Sequence, residues 1–115
     1  MQFKLIMALV KPNITDKVVD AMKKAGATGA TIIPARGTGI HEAKSFFGLT
    51  IEDQTEIIIF LVEEHVVEKF MGVIEKAGQF QKPGTGIAYV IPIEHAAGLQ
   101  SQMQVFKKQA RDEYF

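Results

Sequence analysis

Thr55 to Val62 reads TEIIIFLV, and this run restricts the fold more than any other stretch of the chain. It is rich in β-branched and aromatic residues, its length suits a strand, and two acids, Glu63 and Glu64, close it. Phe3 to Val10 is a second apolar run of strand length, ended by Lys11-Pro12, where a ladder cannot continue. Between them Val18, Met22 and Ala25 recur at helical spacing, with Val19 and Ala21 widening the stripe. Asn13 to Asp16 offers N-cap residues and Gly26 a stop, so the pattern predicts a helix over Thr15 to Ala25. Ala30 to Arg36 reads as a strand that Pro34 confines to an edge or a bulge. From Gly37-Thr38-Gly39 to about Gln54 no period holds, which predicts a long loop. Glu63 and Glu64 then suit the start of a second helix, lined by Val66, Phe70, Val73, Ile74 and Ala77 and stopped by Gly78. A second glycine-rich loop, Lys82-Pro83-Gly84-Thr85-Gly86, precedes a last strand over Ile87 to Ile91. Strand, helix, strand, strand, helix, strand is the order of a ferredoxin-like α+β sandwich: four antiparallel strands with two helices on one face.

The bulk properties narrow the function. At 115 residues the chain fits one domain, and 13 basic against 13 acidic side chains leave no net charge to favour nucleic acid or an anionic membrane. The absence of cysteine excludes disulfides, thiolate metal sites and a cysteine nucleophile. The N-terminal apolar run is too short for a signal peptide core or for a span of about 20 residues, so a cytoplasmic protein without membrane insertion is expected. Met103, Phe106, Ala110 and Tyr114 share one helical face, which predicts a C-terminal amphipathic helix or tail over residues 99–115, after a domain over residues 1–98.

Four segments in this order resemble one known family. Lys4 to Pro12 is similar to the opening strand of PII signal-transduction proteins, and Ala25-Gly26-Ala27-Thr28-Gly29-Ala30-Thr31 to their passage from helix one into strand two. Arg36-Gly37-Thr38-Gly39 looks like the base of their T-loop, here about residues 37–54. Gly84-Thr85-Gly86-Ile87-Ala88-Tyr89-Val90-Ile91 resembles their B-loop, here about residues 82–87, and last strand. The resemblance implies a homotrimer that binds an adenine nucleotide between subunits. It implies a regulator rather than an enzyme, possessing a T-loop that engages another protein, a membrane transporter or an enzyme, in nitrogen metabolism for example.

On that basis Thr31, Arg36, Gly37, Gly39, Lys82, Gly84, Thr85 and Gly86 are expected to bind the nucleotide, and His41, Lys44, Phe46 and Phe47 to form the partner-contact loop. Two Gly-x-Gly pairs have a physical use, since backbone without Cβ approaches a ligand closely and its N–H groups can cradle an anion. Taken alone, each pair is equally readable as a turn. The chain also departs from the family pattern. Ile87 stands where a B-loop lysine meets phosphate, Thr85 replaces an acid, and Gly98 and Gln100 stand where two arginines grip the outer phosphates. Each charged contact to phosphate contributes roughly 1.5–3 kcal/mol, so AMP or ADP is expected to be preferred over ATP. Gln54 and Glu56 fall near the family's lysine for 2-oxoglutarate, which argues against that ligand. His41, His65 and His95 lack ligand spacing, and no metal site is expected. The alternative is a trimeric ferredoxin-like binding module without a nucleotide, related to cation-tolerance or metal-associated trimers. Acylphosphatase chemistry would need an arginine in the loop after strand one, where the chain has Lys-Pro-Asn-Ile-Thr, and RNA recognition would need exposed aromatics and a basic face.

Overall fold

The structure is a computed structural model, and it describes residues 2–37, 45–46, 49–50 and 53–99, with backbone alone at residues 45, 46, 49, 50 and 53. Its elements are β1 (Phe3–Val10), α1 (Pro12–Lys24), β2 (Thr31–Gly37), β3 (Ser45–Phe46), β4 (Leu49–Thr50), β5 (Asp53–Glu63), a 3-10 turn (Glu64–Val66), α2 (Val67–Ala77) and β6 (Gly86–Pro92). The main sheet has the order β2-β5-β1-β6, with every neighbouring pair antiparallel. This is the expected ferredoxin-like sandwich. The two longest apolar runs, β1 and β5, became the central strands, and Pro34 lies on an edge strand.

Alternation along the strands explains the layering. Ile6, Ala8 and Val10 of β1 and Ile58, Phe60 and Val62 of β5 point to one face, where Val18 and Met22 of α1 and Phe70 and Ile74 of α2 bury them. Among the described residues no helix covers the opposite face. Cross-strand register arranges it in rows, and Ile33, Ile57, Leu9 and Ile87 form one. Thr31, Ile59, Met7 and Tyr89 form the row beneath it.

Local chemistry moved several boundaries. α1 begins at Pro12, not Thr15, and Asn13 to Asp16 lie inside it rather than capping it. Proline suits the first helical position because the N–H it lacks has no partner there. Lys11 is the N-cap without a side-chain bond, and its carbonyl accepts from Ile14 N–H at 2.8 Å. At the other end Ala27 N–H donates to Met22 O and Gly26 N–H to Lys23 O, the paired bonds of a Schellman stop. Gly26 has φ 111°, the left-handed conformation that this stop requires. The stretch expected to be irregular contains a short ladder, Ser45 opposite Thr50 and Phe46 opposite Leu49. Two-residue strands are too short to show a period. Residues 100–115, with the expected C-terminal helix, lie outside the described residues.

Of the two acids before the second helix, Glu63 caps the 3-10 turn that leads into it, while α2 itself starts after Val66 without a side-chain cap. Glu63 is 1% exposed, and its carboxylate accepts from the backbone N–H of His65 at 2.7 Å while the other oxygen lies 2.7 Å from His65 Nδ1. Glu63→Ala removes this cap and is expected to cost about 0.5–2 kcal/mol, measured as a lower urea midpoint.

Candidate functional site

Gly37, where the first glycine loop begins, and the second glycine loop lie at one end of the sheet. That end holds the close of β2, the opening of β5 and β6, and the start of α1. Within one chain, however, Gly37 and the second loop are far apart. β2 and β6 are the opposite edges of the four-stranded sheet, three strand spacings or about 14 Å from each other. The expected nucleotide residues therefore form two half-sites. Thr31 and Gly37 belong to the β2 edge, and Lys82, Gly84, Thr85 and Gly86 to the β6 edge.

On the β2 edge, register places Thr31, Ile33, Ala35 and Gly37 on the helix-free face. Gly37 keeps ordinary strand backbone, and among the described residues a Cβ there would meet only Thr55 Oγ1, at 3.5 Å. None of the described neighbours requires a glycine here. Arg36, expected to act beside it, points to the other face by strand alternation. There it lines a cleft of about 510 Å³ with Pro12, Pro34, Ala35, Gln54, Thr55 and Glu56. Gly39, His41, Lys44 and Phe47 lie outside the described residues, and Phe46 is described only as part of the β3 backbone.

On the β6 edge, the loop is closed from within. Thr85 Oγ1 donates toward the carbonyls of Gln79, at 2.8 Å, and Lys82, at 3.1 Å. Gln79, at φ 56°, and Gly84, at φ 83°, supply the left-handed residues of the turn. Gly86 is tied to the fold: a Cβ would stand 2.7 Å from Leu9 O and 2.8 Å from the Phe80 ring. Lys82 is exposed beside a depression of about 380 Å³ shared with Gly72, Glu75, Lys76, Gln79 and Gln81. Just past the loop, Ile87 and Tyr89 are 57% and 42% exposed. Ile32 and Ile33, at 43% and 41%, complete the set of exposed large hydrophobic residues among those described, so all four lie on the two edge strands. Sequence reasoning passed over Tyr89, whose signal is the strand alternation that puts it with Ile87 on the uncovered face.

No described strand position on the helix-free face is a lysine, arginine or histidine. Among the described residues one trio could hold a metal ion, Glu63, Glu64 and His65. It lies at the opposite end of the sheet from the glycine loops, and its geometry is that of the helix cap. No helix among the described residues is long and apolar enough to cross a membrane.

Comparison with known proteins agrees with this architecture. The family model "Nitrogen regulatory protein P-II" matches residues 3–103. The chain is 27% identical over 94 residues to a "Nitrogen fixation nifHD region GlnB-like protein 1" of Methanothermobacter marburgensis, covering 81% of this chain and 90% of that one. It is 27% identical over 103 residues to the "Nitrogen regulatory protein P-II" of Rhodospirillum rubrum, covering 85% and 92%. Among solved structures, Arabidopsis thaliana PII bound to citrate superposes with a TM-score of 0.65 at 24% identity, over 80% of this chain and 78% of that one, a likeness of fold.

Proposed function

The chain belongs to the nitrogen regulatory protein P-II family, a family of regulatory signalling proteins, and from that premise we propose that it is a cytoplasmic homotrimeric sensor that binds AMP or ADP in clefts between subunits and controls a partner protein through residues 37–54. The observation that carries this reading is the placement of Gly37 and of the Lys82 to Gly86 loop at one end but on opposite edges of the sheet, with Thr31 further along the β2 edge. They can meet only when the β6 edge of one copy lies beside the β2 edge of another. Apolar side chains exposed on both edges favour that contact, and unlike edges joined head to tail close into a ring when the rotation between copies allows it.

Gly37 fits a bound nucleotide, because the space its missing Cβ leaves among the described residues admits close approach of a phosphate to backbone N–H groups. The lack of cations at the described strand positions of the helix-free face supports the order AMP or ADP before ATP, since a polyphosphate there would depend on loop cations such as Lys82. The same composition speaks against 2-oxoglutarate. The regulated partner is a protein, with a membrane transporter or a metabolic enzyme as its two candidate classes.

Mixing subunits tests the shared cleft. Gly37→Ala damages the β2 half-site and Lys82→Glu the β6 half-site, and each homotrimer is expected to bind AMP weakly. Refolding the two variants together is expected to restore wild-type affinity in a fraction of clefts, those drawing an intact edge from each variant. If the mixed trimers bind no better than either parent, the site lies within one chain and the reading fails.

A further inference from the structure

We infer that the cleft of about 510 Å³ beside Arg36 is a second small-molecule site, built for a free α-amino acid. It lies on the helix side of the β2 edge, across the sheet from the face that holds Gly37. The inference therefore does not depend on the nucleotide reading. The volume falls within the range of about 300–1,000 Å³ usual for small-molecule sites.

Strand register sets the charges. Arg36 of β2 stands opposite Gln54 of β5, and Pro34 opposite Glu56. Arg36 and Glu56 are thus diagonal neighbours on one face, roughly 7–8 Å apart at the backbone. The next residue of β5 on that face, Ile58, is fully buried, so Glu56 stands at the rim of the core and is itself half-buried. Among the described residues the Glu56 carboxylate has no hydrogen bond or ion pair. A half-buried charge of this kind calls for a cationic partner. The Arg36 guanidinium offers five N–H donors in a fork that suits a carboxylate. An α-amino acid carries both complements, its carboxylate for Arg36 and its ammonium for Glu56. A dicarboxylate would meet Glu56 with like charge, and a polyamine would meet Arg36 so. The exposed Gln54 amide, at once donor and acceptor, is left to the ligand's side chain.

The start of α1 favours the same orientation. Pro12 lines the cleft as the first residue of this helix, whose first turn holds no acid and whose N-cap makes no side-chain bond. A carboxylate is favoured at such an end. Thr15, three residues on, shares with Pro12 one face of the helix. It is 3% exposed, and its hydroxyl has no hydrogen-bond partner. A carboxylate oxygen seated beneath Pro12 would accept from it.

Calorimetric titration of the whole protein with each standard L-amino acid is expected to find at least one that binds. Its N-acetyl derivative lacks the ammonium and its α-amide lacks the carboxylate, and each is expected to bind about ten- to hundredfold more weakly. Glu56→Gln keeps the shape and removes the charge. It is expected to lose the same factor for the amino acid, yet to bind the N-acetyl derivative as the wild type does, because that contact is already missing. Arg36→Ala is expected to mirror this, with a loss for the amino acid and none for the α-amide. AMP affinity in Glu56→Gln is expected to stay at the wild-type value. Binding by no amino acid, blocked derivatives that bind as well as their parent, or wild-type amino-acid affinity in Glu56→Gln overturns the assignment. Equal losses for AMP and the amino acid in Glu56→Gln would put both ligands in one site and overturn it too. A protein that binds an amino acid in this pattern but no nucleotide supports the inference while removing the nucleotide reading.

Discussion

Gly86→Ala is expected to destabilise the fold by about 1–3 kcal/mol, seen as a lower urea midpoint with an unchanged slope. The cause is a collision with backbone. Gly86 opens β6 opposite Val10 of β1, and a Cβ would stand 2.7 Å from the carbonyl oxygen of Leu9 in that central strand. The Phe80 ring, at 2.8 Å, could swing aside, but the strand could move only by straining its ladder to β5. Val10 Cγ1, at 3.0 Å, closes off the remaining space. A midpoint equal to wild type would mean that the two strands separate more easily than this packing allows.

Gly37→Ala is expected to do the reverse. Its Cβ meets nothing closer than 3.5 Å among the described residues and its backbone is ordinary strand, so stability should stay within about 0.5 kcal/mol of wild type. Nucleotide affinity, however, should fall by about tenfold or more, because a methyl group on this open edge holds the phosphate away from the backbone N–H groups. Calorimetric titration with AMP, paired with urea unfolding of the same sample, separates the two effects. Wild-type affinity in Gly37→Ala would remove this residue from the site.

These two glycines look alike in the sequence, each standing at the base of a Gly-x-Gly loop, and only packing distinguishes them. What periodicity can carry was legible: the apolar runs of β1 and β5, the stripes of the two helices, the glycine stops and hence the fold. Boundaries that depend on one residue's backbone were less so. Pro12 reads equally well as the end of a strand or the first residue of a helix, and the structure makes it the latter. The β3–β4 ladder is shorter than any period. For the candidate site the sequence names residues but not their arrangement. Arg36 and Gly37 are neighbours in the chain, and strand alternation sends them to opposite faces. The row shared by Thr31 and Tyr89 depends on register across three strand pairs, which no local pattern encodes. The division of the site between two edges follows from strand order, a property of the folded sheet alone.

The central claim, an adenine nucleotide held between subunits, is tested most directly by calorimetric titration of the wild-type protein with AMP, ADP and ATP, with and without magnesium. The account predicts saturable binding at up to one site per chain, with AMP or ADP bound more tightly than ATP. Tighter binding of ATP would contradict the role given to the missing cations, and the absence of binding by all three would contradict the claim itself.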